Sequence, residues 1–117
     1  KVRPPYNVSV LNCEAALFAL EHADVFAAQA AELCAERAKL VAQLRHMSGV
    51  EKVWDSEANM VLIRVTDAAK IFAGMKARKV LIKNVSTMHP LLANCLRLTV
   101  GNAADNAQML AALEASI

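Results

Sequence analysis

The chain has 117 residues, 56% of them apolar, with 13 Lys or Arg against 11 Asp or Glu and a formal net charge of +2. That length is one domain with a single modest core, and the weak charge offers no electrostatic footprint for nucleic acid. Charges interrupt every apolar stretch short of a membrane span and no signal peptide opens the chain, so a cytoplasmic protein without membrane contact is expected.

Arg3-Pro4-Pro5 starts the chain in an extended conformation, because the second proline keeps the first out of the helical region. Asn12 is placed to cap a short helix reaching about residue 23, with Ala16, Leu17 and Leu20 on one side. A longer helix follows over 24–47. Its Phe26, Leu33, Leu40 and Met47 recur every seven residues, Ala30 and Leu44 fill in between, and Arg37 lies at the stripe's edge. Ser48-Gly49 stops it.

Strands are predicted over 51–54 and 59–65, the second so continuously apolar that it reads as a central strand covered on both faces. Asp67 caps a helix to about residue 78 that turns Ile71, Phe72 and Met75 inward. Gly74 within it costs about 1 kcal/mol relative to Ala. A third strand is predicted over 80–85 and a fourth over 95–100. Asn102 and Asp105 then open a last helix with Met109, Leu110, Leu113 and Ile117 inside. The expected class is α/β of the α+β two-layer kind: a mixed, largely antiparallel four-stranded sheet with helices packed on one face.

In Cys95-Leu96-Arg97-Leu98-Thr99-Val100-Gly101, Leu96, Leu98 and Val100 alternate with Cys95, Arg97 and Thr99, so one strand face is oily and the other carries a guanidinium. Arginine never loses its charge and offers a planar fork to carboxylate or phosphate, so Arg97 points to a bound anion. A surface arginine paired with a protein carboxylate is the bland alternative. Cys13, Cys34 and Cys95 are odd in number and widely spaced; buried thiols of a cytosolic protein are expected, not a disulfide framework. His22, His46 and His89 have no ligand spacing, so no metal site is expected. Trp54 is expected to pack, and His89, in the exposed connection Met88-His89-Pro90, has no partner that would make it a base. Phe18, Phe26 and Phe72 all fall in helices, which argues against a base-stacking sheet.

This strand–Gly–helix ending resembles the C-terminus of the fold-type I aminotransferases that use pyridoxal phosphate. Among them it is most similar to the histidinol-phosphate aminotransferases, whose C-L-R-hydrophobic-T-V-G arginine binds the acidic end of the substrate. Three more segments follow in the family's order. Lys1-Val2-Arg3-Pro4-Pro5-Tyr6-Asn7 looks like the exit from the large domain, with Tyr6 and Asn7 as hinge residues. Ser56-Glu57-Ala58-Asn59-Met60-Val61-Leu62 is similar to the S-[DE]-A-N-F segment, with Met60 in place of Phe. Val80-Leu81-Ile82-Lys83-Asn84 sits where the family has a strand ending in arginine.

The resemblance implies a C-terminal small domain, with a hinge segment and linking helix over 1–23 and a helix–sheet core over 24–117. The whole enzyme would move an amino group between histidinol phosphate and 2-oxoglutarate in histidine biosynthesis. Arg97 would hold the substrate oxyanion, Lys83 would replace a second arginine as a point charge on the phosphate, and Asn59 would order backbone or substrate at the cleft. The family's Schiff-base lysine lies in an S-K-x-x-x-[GA]-x-R-x-G segment that nothing here matches, since Lys39, Lys52, Lys70, Lys76 and Lys79 stand in ordinary contexts. No catalytic or cofactor-binding residue is therefore expected in this chain, and pyridoxal 5'-phosphate would be bound by the large domain.

The implied partners are that large domain and a second copy of the full enzyme. The high apolar share and the opening at Lys1 also suggest a piece of a larger protein, one that self-associates through its N-terminal helices when isolated. Two other readings stay open: an aminotransferase for aromatic or other amino acids, and a stand-alone small-ligand-binding regulatory domain. The latter needs a glycine at a strand–helix junction, for which only Gly101 qualifies.

Overall fold

A computed structural model describes residues 8–117. The extended entry at Arg3-Pro4-Pro5 and the hinge reading of Tyr6 and Asn7 lie outside the described residues. Two compact units make up the chain, one ending at Glu32 and one over Leu33–Ile117.

In the first unit, helix α1 (Val10–Glu21) is followed by the opening turns of α2 (Ala23–His46). Ser9, not Asn12, is the cap of α1: its backbone is extended and its Oγ accepts the Asn12 amide at 3.2 Å. Asn12 therefore sits inside the first turn, where its N–H is one of the donors that a cap must satisfy. No residue of α1 is buried, and Leu11 and Leu20 are more than 70% exposed.

The second unit holds β1 (Val50–Val53), β2 (Met60–Val65), α3 (Ala68–Ala77), β3 (Lys83–Asn84), β4 (Cys95–Thr99) and α4 (Ala103–Glu114). The sheet order is β1-β2-β4-β3, and every pairing is antiparallel. The expected mixed character does not arise. Strands β2 and β3 do run in the same direction across α3, but β4 is inserted between them, so no parallel neighbours form.

The core lies between the sheet and the helices. Leu40 and Leu44 of α2, Ile71 and Met75 of α3, and Met109 and Leu113 of α4 pack on Val61, Ile63, Val65, Leu96 and Leu98. The seven-residue stripe of α2 is buried only at Leu40 and Leu44; Leu33 is exposed and Met47 is half-buried. Strand β2 is likewise covered on one face only. Val61, Ile63 and Val65 are buried, whereas Met60, Leu62 and Arg64 remain half-exposed on the face without helices.

Strand β3 is shorter than the predicted 80–85 because the end of α3 consumes its first residues. Lys79 takes a left-handed conformation (φ 62°) and the Val80 amide returns to the Met75 carbonyl at 3.0 Å, a helix termination usually built on glycine. Asp67 and Asn102 cap α3 and α4 as the sequence indicates. Gly74 serves close packing: a Cβ there would lie 2.7 Å from Ser116 Oγ and 2.8 Å from its Cβ.

Glu36, almost fully buried, accepts hydrogen bonds from Lys39 Nζ at 2.7 Å and Asn106 Nδ2 at 3.2 Å. Those two bonds, the lysine's first, hold its carboxyl below the ordinary carboxylate range against the opposing effect of desolvation. Asn106 also grips Gly101 at both its N–H (2.9 Å) and its C=O (3.0 Å), fixing the exit from β4. Only Cys95 is a buried thiol. Cys13 and Cys34 are exposed, contrary to expectation, Cys13 because it rides on a helix with no buried residue.

Candidate functional site

The sheet face without helices forms the floor of a cavity of 470 Å³. Leu62 of β2 and Arg97 of β4 stand side by side on that floor, paired in the ladder, with Lys83 of β3 next in the same row. One wall is the turn after β1, with Trp54, Asp55, Ser56 and Ala58; the other is the connection between β3 and β4, with Val85, Met88 and Leu92.

Local hydrogen bonds build both walls. In the first, Ser56 Oγ accepts the Ala58 amide at 3.1 Å and donates to the Met60 carbonyl at 2.6 Å, closing the turn into β2. Arg37 then reaches from α2 to the carbonyls of Glu57 and Ala58 at 2.9 and 3.0 Å. In the second, a 3₁₀ turn over Pro90–Leu92 is capped by His89, whose Nδ1 accepts the Leu91 amide at 3.2 Å.

Arg97 is half-buried and, among the described residues, has neither hydrogen bond nor ion pair. Each other described arginine is engaged: Arg37 with two carbonyls, Arg45 with Asp55, Arg64 with the Leu91 carbonyl and Arg78 with the Gly74 carbonyl. The carboxylate partner required by the surface-arginine alternative is absent from the described residues. A guanidinium left open on an apolar floor suits an anion with an apolar body.

The other sequence candidates are placed less centrally. Lys83 is exposed and directly across the ladder from Arg97, outside the cavity lining. Asn59 is exposed and also outside the lining; its backbone carbonyl accepts the Val100 amide at 2.8 Å and extends the β2–β4 ladder by one bond. Sequence reasoning missed Arg37 and Arg64 as fasteners of the two walls. The available signal for Arg37 was its interruption of an apolar stripe. Trp54 does pack, as expected, with Lys52 Nζ 4.9 Å and Arg64 Cζ 5.4 Å from its ring centre, and it lines the cavity as well.

Among the described residues no cluster of His, Cys, Asp or Glu is placed to hold a metal, and no helix is long and apolar enough to cross a membrane. Pyridoxal phosphate does not fit the described residues either. A glycine-rich backbone cradle for its phosphate is missing, because Gly49, Gly74 and Gly101 each abut a side chain, of Ile117, Ser116 and Asp105 respectively. Lys39 is bonded to Glu36, and Lys70 to the Ile117 carbonyl at 2.7 Å.

Comparison with known proteins agrees with the fold. Residues 1–115 match the model of the aminotransferase class I and II family. The histidinol-phosphate aminotransferase of Paracidovorax citrulli (strain AAC00-1) is 81% identical over all 117 residues. The chain spans 32% of that relative's length. Among solved structures, the histidinol-phosphate aminotransferase from Clostridium acetobutylicum shares the fold with a TM-score of 0.86 at 19% identity, over 97% of this chain and 34% of that one. L-Threonine-O-3-phosphate decarboxylase from Porphyromonas gingivalis gives a TM-score of 0.78 at 27% identity, over 97% of this chain and 35% of that one. The chain belongs to the aminotransferase class I and II family.

Proposed function

We propose that this chain is the C-terminal small domain of a histidinol-phosphate aminotransferase and that its cavity receives the anionic end of the amino substrate. The names and high identity of the relatives support that reading, and the observation that carries it is the unpartnered guanidinium of Arg97 on an apolar floor. The enzyme is a cytoplasmic homodimer. Pyridoxal phosphate, which the family implies, is seated in the remainder of the polypeptide and supplies the amino-transfer chemistry there.

The work of this chain is binding and orientation. Arg97 presents parallel N–H donors to one substrate oxyanion, and Lys83 adds a point charge from the neighbouring strand. Trp54 and Leu92 in the walls and Leu62 on the floor make the surroundings of Arg97 less polar, which strengthens each charge–charge attraction. Holding one end of the substrate fixes its amine relative to the reacting centre in the rest of the enzyme, where positioning contributes much of the rate. Asn59 orders the strand end at the cleft.

A second reading, transamination of aromatic amino acids, is favoured by Trp54 in the cavity wall and by lysine instead of arginine at Lys83. Replacing Arg97 in the intact enzyme tests both. A charge-assisted bond is worth about 1.5–3 kcal/mol, so Arg97→Ala lowers kcat/KM for histidinol phosphate at least about tenfold with the fold unchanged. Wild-type kinetics would refute the assignment. Turnover of phenylalanine well above that of histidinol phosphate in the unmodified enzyme would favour the second reading.

A further inference from the structure

We infer that Arg64 is a positioning residue for this cavity: one guanidinium fastens both walls and so sets how Arg97 meets an anion. Its consequence for binding rests on the anion reading above; its geometry does not.

Arg64 lies on β2 on the same face as Leu62, opposite Cys95 in the ladder. Its Nη2 donates to the Leu91 carbonyl at 2.8 Å, inside the 3₁₀ turn, and its Cζ stands 5.4 Å from the centre of the Trp54 ring. Trp54 belongs to one wall and Leu92, next to Leu91, to the other. The remaining hydrogen bonds of residues 87–93 stay within the connection, apart from a weak one from the Cys95 thiol to the Ala93 carbonyl at 3.6 Å. Arg64 is therefore the strong tie between that turn and the open sheet face.

The side chain is also costly as placed. Its Nε is buried and has no hydrogen-bond partner, and a buried donor left unsatisfied is destabilising. What offsets that cost is at the other end of the group, where a planar cation both lies over an indole and donates to a carbonyl. Lysine cannot do both with the same geometry.

Hydrogen exchange over residues 88–93, together with acrylamide quenching of Trp54, the only tryptophan of the chain, tests the proposal without any substrate. In Arg64→Met, exchange is expected to speed about tenfold and quenching to rise about twofold, as local opening of a released turn requires. Binding of inorganic phosphate, read by Trp54 fluorescence, should weaken about fivefold, with Arg64→Lys in between. Exchange and quenching as in the wild type would overturn the proposal. If Arg64→Met does not fold, Arg64→Lys carries the same comparison, and wild-type values there overturn it equally. Arg97→Ala, run in parallel, should abolish phosphate binding without altering exchange. If phosphate binding survives Arg97→Ala, the anion reading fails, while exchange and quenching still decide the role of Arg64.

Discussion

Lys83 and Arg97 face each other across the β3–β4 ladder, two cations with no carboxylate bonded to either among the described residues. Like charges directly opposite in a ladder are unfavourable by about 0.2–1 kcal/mol. A bound anion reverses that sign. Lys83→Ala is therefore expected to leave the ligand-free protein equally or slightly more stable to urea, yet to weaken phosphate binding. A variant that loses stability and keeps its phosphate affinity would show that Lys83 is only a solvated strand-end residue.

Gly74→Ala should destabilise the protein even though alanine is the better helix former by about 1 kcal/mol. The new methyl would meet Ser116 at 2.7–2.8 Å, and overpacking of this kind costs about 1–3 kcal/mol. Combining Gly74→Ala with Ser116→Gly removes both of the nearest atoms. Urea unfolding should then show stability recovered relative to Gly74→Ala alone; no recovery would mean that the strain lies elsewhere.

The Glu36–Asn106–Gly101 network makes stability depend on acid. Glu36 titrates below its ordinary value of 4.5 in the folded chain, so the unfolded chain binds its proton first as pH falls. The contribution is fully present above the unfolded value and is lost as pH drops through the lowered folded one. Glu36→Gln should therefore differ from the wild type in urea stability at neutral pH, and the difference should shrink on acidification to about pH 3. Asn106→Ala removes three hydrogen bonds, one of them to the Glu36 carboxylate, and should cost about 1–3 kcal/mol at neutral pH and less in acid.

Helix α1 presents Leu11, Leu17, Phe18 and Leu20 to water, and contiguous apolar patches of more than a few hundred Å² mark interaction surfaces. In the intact enzyme the large domain is the proposed cover. The chain by itself is expected to sediment as a dimer at micromolar concentration, its N-terminal helices packed together or exchanged about residues 21–24. Phe18→Glu with Leu20→Glu should return it to a monomer. A monomer without those changes would refute the proposed self-association.

Local chemistry carried most of the fold. Asp67 and Asn102 were legible as caps because the donors they satisfy lie within three residues, and Gly49 as a helix stop because few other residues adopt its φ of 80°. Alternation placed Arg97 opposite the oily face of β4, and it faces the cavity there. Periodicity, however, states which residues share a face and not what lies across from them. Hence β2 read as covered on both sides, the insertion of β4 between β2 and β3 was invisible, and the pairing of Arg97 stayed open. The tertiary structure alone decided that Arg37 and Arg64 would fasten turns 20 and 27 residues away, because no propensity or spacing encodes a hydrogen bond between groups that only folding brings together.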